Sequence, residues 1–163
     1  MEAIVANPSR AELIAASSLE ALLRTYSGVV YPLNCDAMGH MNVQYYVAAF
    51  DQAMWHLVHA LGYRAEWQTE RSQGWADVQH TVSFSKELKI GSLFYIDSNV
   101  GRVGQTSLTT LHKLYDMAGN LSAANEIKSV YFDLKERRSL PLPDVIRLEA
   151  EQSLFRLQDI QPL

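Results

Sequence analysis

Residues 36–62 read DAMGHMNVQYYVAAFDQAMWHLVHALG, and the second part of this stretch decides the architecture. Asn42 is a good N-cap, because its short side chain can accept a bond from an unpaired amide at a helix start. Gly62 is a natural stop. The residues between them, 43–61, contain no proline and one carboxylate, Asp51. Wound at about 100° per residue, Val47, Ala49, Phe50, Ala53, Met54, Leu57, Val58, Ala60 and Leu61 cover roughly half the circumference. Gln44, Asp51, Gln52, Trp55, His56 and His59 gather on the remaining arc. So wide an apolar arc exceeds the stripe of an ordinary surface helix. It predicts a helix wrapped by a curved sheet, with one strip left for a partner or a site.

The flanks supply the sheet. Upstream, 25–35 (TYSGVVYPLNC) reads as a strand, with Pro32 marking an edge or a bulge. Residues 9–23 read as a short amphipathic helix, with Ser9 as N-cap and Glu12 completing a capping box. Downstream, 75–85, 92–101, 106–116 and 121–134 are rich in β-branched and aromatic residues and are separated by turn signals at Gly91, Gly101, Gly104 and Gly119-Asn120. Their short connections predict an antiparallel meander. A final helix is expected from about Asp144. The expected division is an N-terminal helical extension (1–23), a main domain (24–145) and a C-terminal helical tail (146–163). The class is α+β, a five-stranded antiparallel sheet around one long hydrophobic helix. Such a sheet leaves edges to cover, so a homodimer or tetramer is expected.

Composition narrows the partners. The 163 residues carry a formal net charge of -4, which disfavours nucleic acid. Residues 1–80 hold 4 basic and 8 acidic side chains, and 81–163 hold 10 of each, so an anionic ligand would find its cations in the second half. The one cysteine, Cys35, allows neither an internal disulfide nor a Cys-rich zinc site. Side chains next to each other on a strand face opposite ways, which argues against Cys35 as a nucleophile beside Asp36. His56 and His59 lack further ligands at suitable spacing, so no metal is expected. No apolar run is long enough to span a membrane, and MEAIVANPSR lacks the features of a secretory leader, which suggests a cytoplasmic protein. G-x-S-x-G, P-loop and G-x-G-x-x-G motifs are all missing.

The segment Asp36-Ala-Met-Gly39-His40-Met41-Asn42, lying between a strand and a long helix, resembles the D-x-x-G-H-x-N signature of hot-dog-fold acyl-CoA thioesterases of the 4-hydroxybenzoyl-CoA thioesterase-like group. Gln44-Tyr45-Tyr46, Leu61-Gly62, Gly104–Ser107 and Arg137-Arg138 with Pro141 and Pro143 extend the resemblance over about 24–145. It implies hydrolysis of an acyl-CoA without a cofactor, with Asp36 as catalytic carboxylate and the helix start at Val43 polarising the carbonyl. His40 and Asn42 would orient water or substrate. Some relatives use an acid within the helix, which makes Asp51 the reserve candidate. Gly39, Tyr45 and Tyr46 fall on the substrate side. The aromatic pair is similar to relatives acting on betainyl-CoA, since aromatic rings suit a quaternary ammonium. Arg137 and Arg138 are the expected contacts for the coenzyme A phosphates.

The chemistry is self-consistent. A thiol with a pKa near 8.5 leaves readily as thiolate, so a strong general acid is not required. One carboxylate, as base or nucleophile, and unpaired amides at a helix start could suffice. Bland readings stand beside these. Asp36 can cap a turn, Asn42 can serve as an N-cap alone, His40 can be structural, and Arg137 and Arg138 can be solvated charges. A non-catalytic acyl-CoA-binding module is the alternative function. An enoyl-CoA hydratase is disfavoured, because relatives with that activity have an Asp-x-Asn-x-x-x-His order, whereas here His40 precedes Asn42.

Overall fold

The computed structural model describes residues 23–158, beginning with β1 (Leu23–Val29). The helix expected over 9–23 lies outside the described residues except for Leu23, which starts β1. A 3-10 turn (Pro32–Asn34) leads to α1 (Val43–Ala60) and a short α2 (Trp67–Glu70). Then come β2 (Gln73–Phe84), β3 (Leu93–Val103), β4 (Ser107–Asp116), β5 (Leu121–Asp133), a two-residue β6 (Arg138–Ser139) and α3 (Asp144–Gln158). Pro32 opens the 3-10 turn rather than continuing β1, a position where its fixed φ fits and its missing N–H costs nothing.

All strand pairs are antiparallel, in the order β1-β3-β4-β5-β2, with β6 beside the end of β5. This corrects the expected four-strand meander. β3, β4 and β5 do form one, but β2 pairs with β5 and stands on the opposite edge from β1. The reason lies in the connection 85–92, which is longer than a hairpin loop and is bonded elsewhere. The Met41 N–H donates to the Leu88 carbonyl (2.8 Å), the Gly91 N–H donates to the Val30 carbonyl (2.8 Å), and Lys89 bridges to His40. The chain therefore crosses the end of the sheet.

The sheet wraps α1 as its apolar arc requires. Tyr46, Ala49, Phe50, Ala53, Met54, Leu57 and Val58 are buried against inward side chains such as Ile96, Leu108, Leu114 and Ile127. Ala60, placed on the arc by periodicity, is exposed in the last turn. α3 adds Ile146 and Ala150 to the same core. Its Arg147 guanidinium donates to the Gly104 and Gln105 carbonyls (3.2 and 3.0 Å), and Val145 packs against Gly62. No described helix is long and apolar enough to cross a membrane.

Polar side chains interrupt the concave face. His112, 1% exposed, has Ser98 Oγ 2.6 Å from Nδ1 and Thr110 Oγ1 2.8 Å from Nε2, and Ser98 Oγ lies 2.6 Å from Thr25 Oγ1. Burial, with a smaller contribution from the His80 charge, lowers the His112 pKa from 6.5 to about 3. The unfolded chain therefore binds a proton between these values that the folded chain refuses. Stability contributed by neutral His112 is full above pH 6.5 and is lost as pH falls toward 3. The slope should approach about 1.4 kcal/mol per pH unit. Urea unfolding at several pH values checks this; the same slope in His112→Gln would assign it to other groups.

Candidate active site

Residues 36–42 fold as a miniature hairpin. Cys35 and Met41 form an antiparallel bridge, the Asp36 N–H donates to the His40 carbonyl (2.9 Å), and the Gly39 N–H donates to the Asp36 carbonyl (3.0 Å). Gly39 has φ +79° and open space where a Cβ would stand, so conformation rather than room requires glycine. Asp36 Oδ1 accepts from the Met38 N–H (2.8 Å) and, at longer range, from the His40 N–H (3.4 Å). The hairpin delivers the chain to Asn42, whose N–H donates to the Asn34 carbonyl (2.8 Å). Asn42 Oδ1 accepts from the Gln44 N–H (3.0 Å), the expected N-cap. Val43 begins the helix, and among the described residues nothing accepts from its amide.

The β4–β5 turn is built the same way. Asp116 Oδ1 accepts from the Ala118 and Asn120 amides (3.0 and 2.9 Å), and Gly119, φ +81°, donates its N–H to the Asp116 carbonyl (2.9 Å). An Asp with a Gly three residues later is thus explained by turn chemistry alone. The two carboxylates differ at Oδ2. That of Asp116 accepts from Lys86 Nζ (2.7 Å) and Asn120 Nδ2 (2.9 Å), bonds that hold its carboxyl well below the usual range. Among the described residues no donor reaches Asp36 Oδ2, and Asp36 lines a cavity of about 430 Å³.

The cavity joins two parts of the chain. Asp36, His40, Val43 and Tyr46 come from the hairpin and α1; Phe84, Lys86 and Glu87 come from the end of β2 and the crossing loop. The Tyr46 ring meets Phe84 edge-on (centroids 5.2 Å, interplanar angle 80°). Its phenol pKa is raised, mainly by burial, with a lesser push from the Glu87 charge and opposition from a Leu88 backbone bond. His40 Nε2 lies 3.2 Å from Glu87 Oε2, and its Nδ1 is shielded from solvent without a partner among the described residues.

Other expected residues lie elsewhere. Gly39 and Asn42 shape the site without lining it. Tyr45 lines a separate groove of about 450 Å³ with Tyr26, Tyr31 and Phe94, so Tyr45 and Tyr46 do not make one aromatic cage. Consecutive helix residues diverge by about 100°, which is why. Arg137 and Arg138 are exposed at the far end of β5, with the Arg137 guanidinium 5.2 Å from the Phe132 ring centroid. That end is separated from Phe84 by the length of β2, about 36 Å at strand rise. Asp51 borders a cavity of about 180 Å³ with Trp55, Trp75 and Asp77; burial first, then the Asp77 charge, push its carboxyl up. Cys35 Sγ is 3.8 Å from the Tyr31 carbonyl, away from the Asp36 cavity. His56 and His59 are exposed, and no metal-holding cluster occurs among the described residues. Sequence reasoning missed Phe84 and Glu87 and counted Lys86 only among several cations. No local motif marks them, because the crossing loop alone brings them to the hairpin.

Residues 30–149 match the sequence profile of the thioesterase-like superfamily. The chain has no significant match among curated proteins. Solved structures share its fold. A Staphylococcus aureus protein in complex with CoA aligns with TM-score 0.73 and 16% identity, over 87% of this chain and 88% of that one. A DHNA-CoA thioesterase from Staphylococcus aureus aligns with TM-score 0.72 and 12% identity, over 85% and 94%. A 1,4-dihydroxy-2-naphthoyl-CoA thioesterase from Synechocystis aligns with TM-score 0.69 and 15% identity, over 78% and 94%.

The twin turns allow an internal comparison. Gly39→Ala and Gly119→Ala should each cost about 1–2 kcal/mol, because both force a side chain into the left-handed region without a steric clash. Chemical denaturation of both variants checks this, and a neutral Gly39→Ala would show that its backbone had relaxed out of that region.

Proposed function

The chain belongs to the thioesterase-like superfamily, and from that premise we propose that it hydrolyses a coenzyme A thioester to the free acid and CoA. The observation that carries this reading is a carboxylate oxygen unclaimed by the described residues, in one cavity with the first residue of a helix whose amide is unpaired. Asp36 acts as base or nucleophile. As base, Oδ2 takes a proton from water while the water oxygen bonds to the thioester carbon. As nucleophile, Oδ2 itself bonds to that carbon and water later cleaves the anhydride. In both routes negative charge develops on the carbonyl oxygen, where the Val43 N–H and the positive end of the helix can meet it. Collapse breaks the C–S bond and releases thiolate. Asn42 keeps the helix start in place, and His40 orients water or substrate.

The handle and the assembly follow from the edges. Among the described residues, β2 has β5 on one side and an open edge on the other. Antiparallel pairing of two such edges across a two-fold axis sets the Gln73 end of one β2 beside the Phe84 end of the other. Arg137 of the partner subunit and Arg138 of the partner subunit then approach this Asp36 cavity. The proposed unit is at least a homodimer, working in the cytoplasm with no metal or redox cofactor. The likeness of the Asp36 turn to the Asp116 turn favours one competing reading, an acyl-CoA-binding module without turnover. Thiol release from a panel of acyl-CoAs separates the two.

Asp36→Asn retains the Oδ1 acceptor that holds the turn, so its unfolding midpoint should stay near that of the parent. Its turnover should fall about 100-fold or more, the scale of general-base catalysis. Activity within a few-fold of the parent would transfer the role to Asp51. For the assembly, light scattering should give at least a dimer mass. The double change of Arg137 and Arg138 to alanine should raise KM for acyl-CoA with kcat nearly constant, because a remote phosphate is held equally in ground and transition states. An unchanged KM at low ionic strength would return both arginines to solvated surface.

A further inference from the structure

The Asp36 cavity contains a second carboxylate that belongs to no motif. Glu87 sits in the crossing loop, and its Oε2 is 3.2 Å from His40 Nε2. The contact is not an accident of a loose loop. The residues on either side are fastened: Leu88 accepts from the Met41 N–H, Lys89 bridges His40, and Lys86 is spent on Asp116 at 2.7 Å. Among the described residues, His40 is the only ion-pair partner of Glu87. Asp36 and His40 face each other across the hairpin, where their side chains share one side. An unguided imidazole there would be expected to bond the neighbouring carboxylate. Instead Nε2 lies at ion-pair distance from Glu87 Oε2, and no hydrogen bond links the Asp36 and His40 side chains.

We propose that Glu87 is a positioning residue for the hydrolysis, fixing His40 as the Nε2–H tautomer and thereby presenting Nδ1 as a lone pair. The inference rests on the thioesterase reading for its catalytic consequence. A carboxylate can only accept, so the nitrogen facing it must carry the proton. Nδ1 is then an acceptor, shielded from solvent and without a partner among the described residues, placed to take a donor brought in with substrate or water. Asp36 meanwhile keeps its Oδ2 instead of losing it to an imidazole N–H. A base oriented by a third group is the arrangement that activated nucleophiles use generally. The other groups bearing on His40 are Asp36 from the hairpin, the Tyr46 phenol from α1, and Lys86 and Lys89 from the loop. None supplies a second acceptor at Nε2.

The test has two independent readouts. Ring ¹⁵N shifts of His40 at neutral pH should report Nε2–H in the parent, a tautomer mixture in Glu87→Ala, and Nε2–H again in Glu87→Gln, whose amide oxygen still accepts. In kinetics, Glu87→Ala should lower kcat about 5-fold with KM unchanged, the scale of a largely solvated ion pair. In a His40→Asn background the same change should do nothing further. An Nδ1–H tautomer in the parent, an unaltered tautomer ratio in Glu87→Ala, or a full Glu87→Ala effect without His40 would overturn the proposal. Intact tautomer control with no thioester hydrolysis by the parent would instead sink the hydrolase reading and leave the orientation of His40 by Glu87 standing.

Discussion

Burial of one side of α1 is the constraint on which the rest depends. Phe50, Ala53 and Val58 are fully inaccessible, and in this chain the sheet covers an arc of that width. Once α1 is seated, its N-terminus has a fixed place at one end of the sheet. The hairpin 36–42 must end there, and the crossing loop must pass beside it. The cavity is a by-product of that packing: helix start, hairpin and loop are neighbours because each is held by something else.

The parts of the fold governed by local chemistry were legible. The Asn42 cap, the apolar arc of α1, the bounds of β3, β4 and β5 and the turn glycines Gly91, Gly104 and Gly119 all depend on residues within a few positions of each other, whereas Gly101, expected in a turn, lies inside β3 at a register irregularity. The order of the strands was not legible, because alternation says that a strand is half-buried but not which strand lies beside it. β2 shows the difficulty. As an edge strand with an irregular register at Asp77/Gln79 and mostly exposed residues, it reads as a strand yet carries no mark of β5 as its partner.

The candidate site divides along the same line. Asp36, Gly39, His40 and Asn42 form one sequence segment and could be singled out together. Phe84, Lys86 and Glu87 could not, since they reach the cavity only through the crossing connection. Tyr45 and Tyr46 illustrate the opposite error: neighbours in sequence, they are separated by the helix that carries them. What distinguishes Asp36 from Asp116 is tertiary in part. Both make the same turn, but the second oxygen of Asp116 is taken by the turn's own Asn120 and by Lys86 from a distant part of the chain.

The crossing connection between β2 and β3 also sets how divisible the molecule is. β3, β4 and β5 pair with their chain neighbours, but β1 must find β3, and β2 must find β5, across long stretches of intervening chain. Closing such loops carries an entropic cost that is offset only when the whole sheet assembles. Both long closures meet at the Asp36 end, where Val30 is bonded to Ser92 and Gly91, and Met41 to Leu88. The residues that line the cavity fall between 36 and 87, but Phe84 is held in place by β5, which lies well outside that stretch. The cavity therefore depends on both long closures, and fraying of either edge should disturb it before it loosens the central meander.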